Sequence, residues 1–325
     1  MNVPEPVRSP TLSDIEAARE RIADAALRTP LIQLDGHGRN GGGIWLKLEC
    51  LQPIGSFKIR GAANAIGLAR PEQLERGVYT ASAGNMAQGV AFAARRLGLP
   101  CRVIVPEAAP RAKIDAIKGL GGDVVAVPYD EWWQVLVEHG HPSESGFFVH
   151  PVSDPHVIAG NGTVALEILE ELPEVEAIVA PYGGGGLSCG IASAIHGRGA
   201  PVKVFASEVE TAAPLSASLA AGKAVAVDRT PTFVDGIGGS SVLVDMWPLA
   251  HTLLDGALVV TIDRICEAIR TLALQAHVIA EGAGASSVAA ATQHLPDDQR
   301  IVAVISGGNI DVDVLSRILA GDPPH

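Results

Sequence analysis

Short runs that are apolar at every position alternate along this chain with stretches whose apolar residues recur at helical spacing. The first helical stretch covers Ser13–Leu27. Ile15, Ala18, Ile22 and Ala25 share its face, Ser13 and Glu16 have capping-box spacing, and Pro30 stops it. Gly43–Leu48 reads as a strand. Then a unit recurs: an apolar run, a turn of glycines or small residues, and a helix. Val78–Ser82 runs into Ala83-Gly84-Asn85 and the helical MAQGVAFAARRLG. Cys101–Val105 runs through a proline-rich turn into a helix over Arg111–Gly119, and Ala177–Ala180 runs into Gly183–Gly186 and another helix. Val124–Val127, Val202–Ser207 and Ile301–Ile305 complete the set. Apolar strands separated by helices predict parallel strands buried on both faces, hence an α/β, doubly wound fold.

Composition narrows the function classes. The 325 residues suit two domains or one large α/β unit, and HGHPSESG breaks the periodicity, which puts a boundary within Gly140–Pro155. With 47% hydrophobic and 18% charged residues the chain buries a large core and is not a disordered linker. A net charge of −12 argues against nucleic-acid or anionic-membrane partners. No apolar run is long enough to span a bilayer, and the N-terminus lacks the basic-then-apolar order of a secretory signal. Cys50, Cys101, Cys189 and Cys266 are scattered without a CxxC, which points to reduced thiols and a cytoplasmic protein.

Several motifs read as structure. Gly36–Gly41 matches GxGxxG, but a strand follows it instead of preceding it, so it reads as a loop. His139 and His141 lie in a polar stretch without a third ligand and read as surface loop, and Asp311 and Asp313 read as acids at a helix start. Trp132-Trp133 either line a pocket or pack a smaller domain. Gly183-Gly184-Gly185-Gly186-Leu187 is different, because four glycines between strand and helix exceed what a tight turn needs. They present N–H groups with the helix dipole behind them, a cradle for phosphate, and no GK[ST] follows to imply a nucleoside triphosphate. Lys58 sits among Ile54, Phe57 and Ile59, where a disfavoured ammonium becomes a nucleophile or Schiff-base former. Ser82-Ala83-Gly84-Asn85 and Ser306-Gly307-Gly308-Asn309 lie at strand ends, where ligands of open α/β sheets bind. A lysine with a phosphate cradle and no nucleotide motif fits pyridoxal 5'-phosphate.

Taken together, GSFKIRGA, TASAGNMAQGVAFAARRLG, VIAGNGTVALEIL, GGGGL and SGGN resemble the fold-type II pyridoxal-phosphate enzymes, specifically the serine/threonine dehydratase (threonine ammonia-lyase) and serine racemase family. The resemblance runs from RTPLIQL to SGGNIDVDVL and implies a tryptophan-synthase-β-like fold with the cofactor in a cleft between domains. It implies a large domain of residues 1–76 and 154–325 and a small domain of 77–153. By resemblance, Lys58 carries the cofactor and acts as the catalytic base, Gly183, Gly184, Gly185, Gly186 and Leu187 hold its phosphate, and Asn85 bonds the ring hydroxyl. Ser306 faces the pyridine nitrogen, Phe57 packs near the ring, and Asp235, Gly236, Ile237, Glu281 and Gly282 line the large-domain side. Ser82, Ala83, Gly84, Asn85 and Met86 receive the substrate.

The implied reaction is α,β-elimination from an L-β-hydroxy-α-amino acid, giving a 2-oxo acid and ammonia. Serine and threonine are the default substrates. Met86, where the family commonly has histidine, and the Trp132-Trp133 pair leave room for phenylserine or 3-hydroxyaspartate. Racemases of the family carry serine where this chain has Ala83, which disfavours racemisation. Glu208 and Glu210 are present near the family's metal site, but Pro214 stands where an acid is expected, so no metal is expected. The chain ends about where a catalytic core ends, so control through a C-terminal regulatory domain is not expected. A homodimer is the expected assembly.

Overall fold

The computed structural model describes residues 5–322 and residue 324. The chain opens with α1 (Leu12–Ile22), β1 (Leu31–Gln33), β2 (Gly43–Lys47), α2 (Lys58–Leu68) and the short α3 (Pro71–Leu74). Next come β3 (Val78–Ala81), α4 (Asn85–Arg96), β4 (Cys101–Pro106), α5 (Arg111–Gly119), β5 (Asp123–Val127), α6 (Tyr129–Val137) and β6 (Phe147–Phe148). Then follow α7 (Pro155–Glu171), β7 (Ala177–Pro181), α8 (Ser188–Arg198), β8 (Lys203–Val209) and α9 (Pro214–Ala221). The last elements are α10 (Trp247–Leu253), β9 (Gly256–Val260), α11 (Ile262–Thr271), α12 (Gly282–His294), β10 (Arg300–Val304) and α13 (Val312–Ala320).

The strands form two sheets. One has six strands in the order β1-β2-β10-β7-β8-β9, and the other has four in the order β5-β4-β3-β6. All pairings are parallel except β1 with β2, an antiparallel edge that the uniform parallel expectation lacked. β1 and β6 have three and two residues, too short for any periodicity to register. The first helix also differs from expectation: it starts after Thr11, whose hydroxyl accepts from Asp14 N in a reciprocal capping box, and ends at Ile22. The Thr11 and Asp14 pair competes for the same turn as Ser13 and Glu16 and wins because its side chains close both bonds.

The element that sets the site is α7. It is buried on nearly every face, so its neighbours must approach its backbone. Glycine makes this possible: a Cβ at Gly160 would lie 2.4 Å from Arg60 O on α2, and one at Gly190 on α8 would lie 2.5 Å from Ile158 O. Below this contact lies a dry ionic network. Arg60 grips Glu49 with Nε and an Nη, at 2.7 Å each, and Glu167 at 2.6 Å, while Lys47 Nζ reaches Glu167 at 2.7 Å. Burial by itself would raise the Glu49 carboxyl, but the Arg60 charge and hydrogen bonds, with Thr29 and Lys47, together outweigh it and hold the group below its ordinary value. Removing Arg60 would leave buried Glu49 without its charged partner and Glu167 with Lys47 alone, at a cost of about 3–5 kcal/mol. The network clamps α2 two residues beyond Lys58.

Candidate active site

Lys58 is the first residue of α2 and lies partly buried at the junction of the two sheets. Its Nζ donates to Pro151 O at 3.1 Å and stands 5.2 Å from the centre of the Phe57 ring. Burial pushes its ammonium down to about 8, against the opposing pull of the Glu281 carboxylate. A lysine so placed holds a share of free amine near neutral pH.

Two motif loops are fastened around it. Phe57 N donates to Ser306 O at 3.0 Å, Gly308 N donates to Gly55 O at 2.9 Å, and Ser56 and Gly307 form an antiparallel bridge. Lys58 and Ser306 therefore hold a fixed separation although they are far apart in sequence. Ser306 is buried, and its hydroxyl makes no hydrogen bond among the described residues.

The glycine loop spans the end of β7 and the start of α8. None of the five N–H groups from Gly183 to Leu187 has a protein acceptor among the described residues. Gly185 has φ +95°. A Cβ at Gly183 would lie 2.9 Å from Gly236 O, and one at Gly184 would lie 2.6 Å from the Val152 methyls, so side chains are shut out of the loop. Val152 directly follows Pro151, the Lys58 acceptor, which brings the lysine and the loop to one place. Five free N–H groups at a helix N-terminus suit a phosphate dianion, the nearby lysine suits an aldehyde, and the Ser306 hydroxyl suits a ring nitrogen. The residues present fit pyridoxal phosphate.

A second set of free donors lies at the start of α4. The N–H groups of Ala83, Asn85, Met86 and Ala87 have no protein acceptor among the described residues, while Gly84 N is taken by Ser82 Oγ at 3.2 Å. Such a helix start accepts a carboxylate. The Asn85 Nδ2 donates to Glu281 Oε1 at 2.8 Å. Burial raises the Glu281 carboxyl to about 7, with the Asn85 N–H opposing the shift.

Met86 is placed differently from expectation. Its side chain is 2% exposed and packs in the apolar cluster with Ala62, Ala65, Val90 and Val103, so it fills the core behind the loop, and the backbone N–H is the part it offers to the cleft. The Trp132-Trp133 alternative resolves toward packing, since both pack against the cluster built on Tyr79, Ile104, Val127 and Val135. Neither feature shapes a substrate pocket. The Glu208 carboxylate accepts from Leu215 N and Ser216 N at 2.8 Å each, so it caps α9, whose first residue is Pro214. His139 and His141 diverge, to Asp245 and to Glu131, and Asp311 caps α13. Gly36–Gly41 is a turn with no helix after it.

Two residues that the sequence reading quoted only within motifs gain a role from the folded chain. Asn161 Nδ2 donates to Gly186 O at 3.1 Å and so fixes the glycine loop from α7. An asparagine inside the apolar VIAGNGTVAL was the available signal. Asn309 bonds Asn85, which only the folded chain reveals.

A family profile described as "Pyridoxal-phosphate dependent enzyme" matches residues 22–307. The chain is 42% identical over 313 residues to the L-threonine ammonia-lyase of Thermotoga maritima, covering 95% of this chain and 78% of that one. Among solved structures it is similar to the processed form of threonine deaminase isoform 2 from Solanum lycopersicum, with TM-score 0.87, 34% identity, and coverage of 99% and 93%. It is also similar to maize serine racemase, with TM-score 0.87, 31% identity, and coverage of 97% and 98%.

Proposed function

The chain belongs to the pyridoxal-phosphate-dependent enzyme family, and from that premise we propose that it is an ammonia-lyase for an L-β-hydroxy-α-amino acid, with threonine and serine first in line. The observation that carries this reading is the run of five unpaired N–H groups beside a partly buried lysine whose ammonium is depressed to about 8. When bound, the cofactor supplies an electron sink for charge that develops at the substrate Cα.

The protein groups divide the remaining work. Gly183 to Leu187 bind the phosphate through their N–H groups, and Asn161 holds that loop in shape. Asn85 bonds the ring hydroxyl, and Ser306 meets the ring nitrogen with a neutral hydroxyl that leaves it largely unprotonated. The substrate carboxylate docks on the free N–H groups of Ala83, Asn85 and Met86. Lys58 Nζ takes the proton from Cα, a general-base step that contributes about 10²–10⁴-fold. The β-hydroxyl leaves as water, the released 2-aminoacrylate tautomerises to its imine, and uptake of one water gives the 2-oxo acid and ammonia. Ala83 has no proton to return on the opposite face, so racemisation is a minor outcome.

Residues 77–153 act in this proposal as a small domain that closes over the substrate and excludes water. A homodimer and a cytoplasmic location belong to the same proposal. The four cysteines are free, which suits a reducing compartment.

The test is release of 2-oxo acid and ammonia from serine, threonine, 3-hydroxyaspartate and phenylserine, with Lys58→Ala beside the wild type. Release from threonine or serine, lost in the variant together with the lysine-linked visible absorbance, is the expected result. Absorbance without release from any of the four would overturn the lyase reading.

A further inference from the structure

We propose that Asn309 is a positioning residue that decides which end of the Asn85 amide faces the cofactor; the inference rests on the reading of Asn85 as the ring-hydroxyl partner. Asn309 Nδ2 donates to Ile54 O at 2.9 Å and to Asn85 Oδ1 at 2.7 Å. A backbone carbonyl only accepts, so the nitrogen end of Asn309 must point toward Ile54. That nitrogen then meets Asn85 through its oxygen. Asn85 is left with its nitrogen on the far side, giving one hydrogen to Glu281 Oε1 at 2.8 Å and keeping a second without a protein acceptor among the described residues. The polarity of two amide side chains is thus set in sequence from one main-chain carbonyl.

The surroundings are shaped for this chain of bonds. Gly55 has φ +70°, and a Cβ there would lie 2.5 Å from Asn309 Oδ1. A Cβ at Gly307 would lie 2.4 Å from Glu281 Oε1. Glycine at both positions makes room for the two end groups. Without Asn309, a half-turn of the Asn85 amide would set its oxygen against the Glu281 carboxylate and against the ring oxygen, acceptor facing acceptor, and would withdraw the free N–H.

The polarity can be reversed with little change of shape. Asn309→Asp cannot donate to Ile54 O or to Asn85 Oδ1, and it invites the Asn85 nitrogen to turn toward it. The measurement is the pH titration of the bound cofactor's visible absorbance in the holoenzyme, with kcat and KM, for wild type, Asn309→Asp, Asn309→Ala, Asn85→Ala and the double variant Asn85→Ala/Asn309→Asp. Asn309→Asp is expected to move the titration midpoint in the same direction as Asn85→Ala, by about half a pH unit or more. It is expected to lower kcat about tenfold with little change in KM, and Asn309→Ala to do the same more weakly. In the Asn85→Ala background, Asn309→Asp is expected to add nothing, which separates orientation of the amide from the field of a new carboxylate and from general loosening. A midpoint moved by Asn85→Ala and not by Asn309→Asp overturns this inference alone, as does an Asn309→Asp shift that persists without the Asn85 side chain. A midpoint unmoved by Asn85→Ala overturns the reading of Asn85 and this inference with it.

Discussion

His150 is a neutral imidazole that holds the strand end behind Lys58. Its Nδ1 accepts from Val152 N at 3.0 Å and Ser153 N at 2.6 Å, so the proton sits on Nε2, which donates to Leu136 O at 3.1 Å. Those bonds shape the segment whose Pro151 carbonyl receives Lys58 and whose Val152 borders the glycine loop. Burial, then the stacked His139 ring, push His150 down from 6.5 to about 4. Between those two values the unfolded chain binds the extra proton, so this contribution is complete above pH 6.5 and is lost as pH falls, by about 3 kcal/mol at pH 4. Glu208 and Glu281, both raised to about 7, act in the opposite sense, stabilising at low pH and losing that as pH rises from 4.5 to 7. His150→Asn keeps an acceptor near Nδ1 and removes the titration. Its deficit in Tm against wild type should shrink as pH falls from 7 to 4.5; a constant deficit would show that His150 does not titrate this way. Lys58, the glycine loop and Ser306 were legible at this scale because their residue types are rare in such company. The direction of the Met86 side chain, into the core, was not legible, because sequence gives a position along α4 and not where its side chain points.

At the scale of elements, the triple contact of α2, α7 and α8 makes a prediction opposite to helix propensity. Alanine usually exceeds glycine in a helix interior by about 1 kcal/mol. At Gly160 the added Cβ would meet Arg60 O at 2.4 Å, so Gly160→Ala should destabilise by about 1–3 kcal/mol, read as a lower Tm and as weaker cofactor retention because α2 and the glycine loop are displaced together. Gly119 on α5 has nothing within 4 Å of its Cβ site, and Gly119→Ala should be neutral or stabilising. Equal effects at the two positions would discount the close packing. Helices α1, α4, α5 and α8 and most central strands were legible from period and from apolar runs, with α5 predicted over its observed residues Arg111–Gly119. β9 and the short β6 were not, since their partners β8 and β3 lie far away in sequence, nor was β1, which has three residues.

At the scale of the whole molecule, one ion pair and one histidine–carboxylate contact join the sheets across the cleft. Lys113 on α5 pairs with Asp235, next to Gly236 and the glycine loop, and His139 lies 3.2 Å from Asp245. Lys113 and Asp235 are partly exposed, so their pair is worth about 0–1 kcal/mol and is screened by salt. If it holds the small domain over the substrate, Lys113→Met and Asp235→Asn should each raise KM up to about fivefold, with the loss largest at low ionic strength. The charge-swapped double variant Lys113→Asp/Asp235→Lys should recover part of it. Single variants with wild-type KM at every salt concentration would assign the pair to the surface alone.

The sequence by itself determined the α/β class and the family resemblance, and it pointed to Lys58 and two glycine-bearing loops that the fold brings together, because each is written in local residue type and spacing. Tertiary structure alone decided that Met86 and the tryptophans pack the core, that Glu208 caps a helix, and that Asn309, Asn85 and Glu281 form one chain of bonds. The physical reason is that a side chain's direction and partner depend on which distant backbone lies within a few ångströms. In this molecule that was settled by glycine contacts and by carbonyl groups contributed from other loops.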